Sequence, residues 1–174
     1  MVDMTWTAPD IERVEPLRAG ASELESLHSW IRYHRQTLLW KCRGLTAAQL
    51  ATASVAPSDL TLLGLIRHLT DVERGWFRRG VGGDKTARPL YYSDENPDGD
   101  IEVGDADAEA GIAAYRAEWV LVDRAIAGAD LDARLAGSED VDVRWVFLHM
   151  IEEYARHNGH ADLIRERIDG SVGD

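Results

Sequence analysis

Two histidines, His157 and His160, stand three residues apart near the C-terminal end of the chain, and a third, His68, lies far upstream. Residues at that spacing are neighbours on a helix and can share one ion. A buried neutral imidazole without a partner costs about 1–3 kcal/mol per unmet polar group, so such a pair beside an apolar stripe calls for something to bind. Three nitrogen donors with no fourth protein ligand leave coordination positions open for water or substrate, as at catalytic rather than structural metal centres. We therefore read His68, His157 and His160 as ligands of one divalent metal ion. Glu153, one turn before His157, is kept as a reserve ligand or as a carboxylate that orients a ligand histidine. No catalytic acid or base is assigned; Glu153, Arg156 and His34 are the candidate outer groups.

The remaining chemistry-bearing residues read more plainly. His34 falls at a core position of the first helix, as a satisfied core histidine or an outer donor. His149 lies two turns before His157 and is expected to hydrogen-bond within the fold, and His28 is expected to be exposed. Cys42, between Lys41 and Arg43, is the single cysteine. It excludes an intrachain disulfide and a cysteine-based zinc motif, and it reads as a packed, inert thiol. The six tryptophans read as packing residues, with Trp76 also placed to wall a pocket.

Four helices must position these groups. The first, about 22–43, opens on Ser22 and Glu25 at capping-box spacing, and Leu24, Leu27, Ile31, His34 and Leu38 follow by threes and fours. Gly44 closes it, and Thr46 with Gln49 caps a short turn or helix before Pro57 and Ser58. The second, about 61–80, aligns Leu62, Leu65, Leu69, Val72 and Trp76, with His68 on the flank, and ends at Gly80, Gly82 and Gly83. The third, about 107–127, repeats Ile112, Tyr115, Trp119, Val122 and Ile126 behind Asp105 or Asp107 as cap and breaks at Gly128. An irregular acidic stretch through Gly137 to Asp142 leads to the fourth, about 143–168, ended by Gly170. Its apolar stripe of Val146, Met150, Tyr154, Ala161, Ile164 and Ile168 has His157 at its middle and His149, Glu153 and His160 along one flank. Between the second and third helices lies a long connection rich in Gly, Asp and Pro, with Leu90, Tyr91 and Tyr92 at its centre; a loop of that length is more often functional than filler. The pattern is all-α: one domain over residues 1–174, with an N-terminal arm to about residue 20, a four-helix bundle with a crossover, and a frayed tail from Ser171 to Asp174.

The chain has 174 residues, 45% of them apolar, and a net charge of −12. This acidity argues against nucleic acid and anionic membrane surfaces as partners, since phosphate neutralisation needs clustered Lys and Arg. No apolar run reaches the roughly 20 residues that span a bilayer, and Met1–Asp10 has neither the basic start nor the apolar stretch of a signal peptide. The expectation is a cytoplasmic protein.

The stretches LLGLIRHLTDVERGWF (62–77) and MIEEYARHNGHADLIR (150–165) resemble the DinB/YfiT-like superfamily, in particular its actinobacterial mini-circle-protein branch. The likeness runs over nearly the whole chain and includes LWKCRGL (39–45) and the Pro57-Ser58 approach. The resemblance implies an up-down-down-up bundle, commonly a homodimer, with a divalent metal held by one histidine of the second helix and two ligands of the fourth. Those positions fall on His68, His157 and His160. The commonest family pattern spaces the last two ligands four apart, and the position four before His160 is Arg156. The pair is therefore His157 with His160, or Glu153 with His157. Relatives include thiol-dependent transferases and isomerases that use mycothiol or bacillithiol, and domains of ergothioneine-forming enzymes.

Two readings follow. In one, Zn, Ni or Fe activates a low-molecular-weight thiol or water for transfer to a small electrophile, with the Tyr91-Tyr92 loop closing the pocket. In the other, the protein is a non-catalytic dimeric metal-binding or stress-associated bundle whose histidines complete a polar core. A weaker third uses the same ligands for non-haem Fe(II) and oxygen.

Overall fold

The computed structural model describes residues 6–135, 138 and 140–173; Met1–Thr5, Gly137 and Asp174, which figured in the arm, the acidic stretch and the tail, lie outside the described residues. Among the described residues the protein is all-helical, without a β-strand. The five α-helices are α1 (Glu23–Cys42), α2 (Ala47–Leu50), α3 (Leu62–Glu73), α4 (Ala108–Ile126) and α5 (Val143–Asp169).

The starts were written locally. Ser22 Oγ accepts from the Glu25 amide while the Glu25 carboxylate takes the Ser22 amide at 2.8 Å, and Thr46 with Gln49 repeats the arrangement at α2. Each such exchange satisfies two amides that the first helical turn leaves without partners. Thr61, Asp107 and Asp142 cap α3, α4 and α5 through their side chains. Gly170, at φ 80°, ends α5 in the left-handed conformation that favours glycine.

The second helix departs from the expected 61–80. Regular α-helix stops at Glu73, and Arg74–Val81 continues it as a π-helical stretch. The amide of Gly82 reaches back five residues to the Phe77 carbonyl at 2.8 Å. The wider turn turns Phe77 inward against Phe147, with ring centroids 4.9 Å apart, and brings Arg74 and Arg78 together on the buried Glu118.

The pairings between helices follow from side-chain contacts. Arg144 near the start of α5 meets Glu23 at the start of α1, and Lys41 and Asp162 meet near the other end, so α1 and α5 run the same way. His68 faces His157 whereas Trp76 lies on His149 and Trp145, so α3 and α5 run oppositely. A continuous apolar core from Ile31, Leu38, Leu65, Leu69, Val122, Val146, Met150 and Ile164 fills the space between them. Among the described residues no helix is long and apolar enough to cross a membrane.

Two positions on these stripes differ from the sequence reading. On α1 the buried residue is Arg35, 1% exposed, and His34 is half-buried beside it. On α5 it is Asn158, with His157 on the flank. The 3.6-residue period of the helix carries the stripe from Ile31 through Arg35 to Leu38, and from Tyr154 through Asn158 to Ala161. Polar residue types at those positions disguised it.

Candidate metal centre

His68 leaves α3 toward α5, where it meets His157 with ring centroids 4.8 Å apart at 65°. Glu153, one turn before His157, places Oε2 3.1 Å from His157 Nε2. Donor atoms of His68, Glu153 and His157 all lie within 4.8 Å of one another. A second such group, His149, Glu152 and Glu153, shares Glu153 with the first, and His160 is in neither group. His160 stands behind His157, its Nδ1 3.3 Å from His157 Nδ1.

The hydrogen bonds define proton positions. Asp100, from the crossover, sets Oδ2 2.7 Å from His68 Nδ1. An ionised carboxylate only accepts, so a proton of His68 sits on Nδ1, between the ring and Asp100. Burial pushes the Asp100 carboxyl up, but the hydrogen bond and charge of His68 and the backbone amides outweigh it and hold the group below its usual range. Burial, then the neighbouring His68, lowers His157 to about 4, against the smaller opposing pull of Glu153. A metal binds only unprotonated imidazole, and His157 is in that form at neutral pH. Arg156 borders the cluster, donating to Glu153 at 3.2 Å and also to Glu152.

The other sequence candidates sit outside this cluster. His34 stacks on Tyr154, with ring centroids 6.2 Å apart, and takes a hydrogen bond from Asn158 Nδ2 at 3.3 Å. His149 lies between Trp145, stacked at 4.9 Å, and Trp76, edge-on at 5.1 Å. His28, expected to be exposed, is half-buried with Nε2 3.0 Å from Asp123. Its position faces α4, a neighbour that the single-helix pattern did not reveal.

Cys42 is fully buried and its thiol is pushed up to about 12, chiefly by burial, with Arg165 opposing. The thiolate is the reactive form, so the native thiol is expected to resist a disulfide reagent at pH 8 on the timescale over which the urea-unfolded protein reacts fully. Modification of folded protein at the rate of a free thiol would contradict this.

Sequence reasoning missed two features. Asp100 is one; the crossover also holds Asp94, Glu95, Asp98 and Glu102, and only the loop path selects among them. The other is a buried polar chain. Arg35 binds both oxygens of Glu73 at 2.7 Å and Asp123 at 2.7 Å. Tyr154 donates to Glu73, and the Tyr115 and Tyr154 hydroxyls are 2.7 Å apart. The places of Arg35, Tyr115 and Tyr154 on apolar stripes were the available signal.

The centre thus offers two imidazoles and a carboxylate at the junction of α3 and α5, with one imidazole held by a loop carboxylate. No curated protein matches the chain. A family model described as mycothiol-S-transferase matches residues 26–170, which is most of the chain, and the protein belongs to that DinB/YfiT-like family.

Proposed function

We propose that the protein is a metal-dependent thiol S-transferase, using mycothiol or a similar low-molecular-weight thiol, whose divalent cation is held by His68, Glu153 and His157. The observation that carries this reading is the mutual reach of those three donors from two separate helices. The donor set fits a cation: two neutral nitrogens and one carboxylate, without a thiolate, suit Zn, Ni or Fe(II). A cation there supplies Lewis acidity, lowering the pKa of a coordinated thiol so that the nucleophile exists at neutral pH. The chain's own part is geometric. His68, Glu153 and His157 would hold the cation, and His160 Nδ1, 3.3 Å from His157 Nδ1, would accept a proton there and orient that ring.

This assignment makes Glu153 the third ligand and His160 an outer partner of His157, which is the E-x-x-x-H alternative of the sequence. Zn²⁺ titration of tag-free protein by calorimetry tests it. We expect about one ion per chain, roughly tenfold or more weaker binding in Glu153→Gln, and a smaller loss in His160→Gln. The reverse order would return the third ligand to His160. Failure to take up Zn²⁺, Ni²⁺, Mn²⁺ and Fe²⁺ alike would overturn the reading.

A non-catalytic protein is the second reading, favoured by one observation: both nitrogens of His157 already have partners, Glu153 and His160. It expects those substitutions to change stability without changing metal content. Both readings retain an up-down-down-up four-helix bundle, supported by the helix directions above, and a homodimer in the cytoplasm. The exposed Trp145, Leu148 and Leu163 on the outer face of α5 support the dimer.

A further inference from the structure

We propose that Asp100 is a positioning residue of the metal centre and that the long crossover between α3 and α4 serves to deliver it to His68; this rests on the ligand reading above. Asp100 is 6% exposed although it belongs to a loop, and its Oδ2 lies 2.7 Å from His68 Nδ1. A free histidine side chain exchanges between two neutral tautomers. A fixed carboxylate at Nδ1 selects the one whose Nε2 lone pair is available, fixes the ring plane and makes the ligand nitrogen more basic.

The carboxylate can do this only if the loop is itself held, and α3 grips it on both sides of Asp100. Asp71 accepts the amides of Leu90 at 2.7 Å and Tyr91 at 2.9 Å. Arg67 donates to the Gly99 carbonyl at 2.6 Å and to that of Glu102 at 3.2 Å, with its guanidinium 4.6 Å from the centre of the Tyr91 ring. Arg67, His68 and Asp71 share one turn of α3, so the helix that carries the ligand also fixes the loop that orients it. The packing is close: a Cβ at Gly99 would come within 2.4 Å of the Tyr91 carbonyl oxygen, which excludes any other residue there, and one at Gly64 would press on the Ile101 carbonyl oxygen at 3.0 Å.

Two measurements test the proposal. Long-range proton–nitrogen NMR of the metal-free protein reads the His68 tautomer, and calorimetric Zn²⁺ titration reads affinity. We expect the Nδ1–H tautomer in the wild type and a shift toward Nε2–H in Asp100→Ala. Zn²⁺ binding should weaken about 10–100-fold in Asp100→Ala, and less in the isosteric Asp100→Asn, which keeps an acceptor oxygen and guards against misfolding. A wild-type His68 protonated on Nε2, or variants that leave tautomer and affinity unchanged, would overturn it. A wild-type protein that takes up no Zn²⁺ overturns the ligand reading and the metal role of Asp100 together; normal uptake with unaltered affinity in both variants overturns the role of Asp100 alone.

Discussion

Replacing His157 by alanine is expected to abolish near-stoichiometric metal uptake and to lower thiol transfer by at least about 100-fold, because it removes the donor that links the other two. His68 comes from α3 and Glu153 lies on the same helix as His157. Without His157 only one nitrogen and one carboxylate remain. A ligand that binds only the native state stabilises it by mass action, so excess Zn²⁺ should raise the melting temperature of the wild type and leave that of His157→Ala unmoved. The metal-free melting temperatures separate this from loss of fold: the imidazole is 13% exposed and flanks the core, so its removal should lower stability only modestly. A variant that binds Zn²⁺ with wild-type affinity would remove His157 from the centre.

The second large effect is expected at Arg35, and it concerns stability. Arg35 and Glu73 have side chains 2% and 1% exposed and share two hydrogen bonds of 2.7 Å. Removing one partner of such a pair leaves an uncompensated buried charge and costs about 3–5 kcal/mol. Arg35→Met, which keeps most of the volume, should lower the urea midpoint accordingly, with an unchanged slope. The double variant Arg35→Met, Glu73→Gln should recover part of the loss, since a neutral amide is cheaper to bury than a lone carboxylate. A loss below about 1 kcal/mol in the single variant, against the magnitude expected for a broken buried pair, would mean that Tyr154 and water satisfy Glu73 without Arg35.

What the sequence reveals and what it hides divide along the range of the interactions. Ser22 with Glu25, Thr46 with Gln49, Asp107 and Gly170 act within one turn of their own helix, and each marks the boundary at which it was read. The family stretches around His68 and His157 point to the two helices whose donor atoms meet in the structure, and Glu153, the alternative ligand of the sequence, is among those donors. Arg35 and Asn158 do not stand out in the sequence, because a charged or amide side chain breaks the apolar pattern that marks a buried stripe. Asp100 depends on a contact across 32 residues of chain. Nothing in the composition of the crossover distinguishes it from the neighbouring acids until the path of the loop over Gly64 is known.

The π-helical stretch divides the α3 side of the contact with α5 into two parts of different helical phase. It acts as a phase shifter: the turn carrying Arg67, His68 and Asp71 keeps its alignment with α5, while everything beyond Arg74 is rotated relative to it. A relative with one residue fewer between Arg74 and Val81 would recover an ordinary α-helix there and swing Trp76 and Phe77 to new azimuths, with the donor turn left in place. The aromatic contact of Trp76 with Trp145 and His149 is therefore set by the π-helical register, separately from the turn that carries His68.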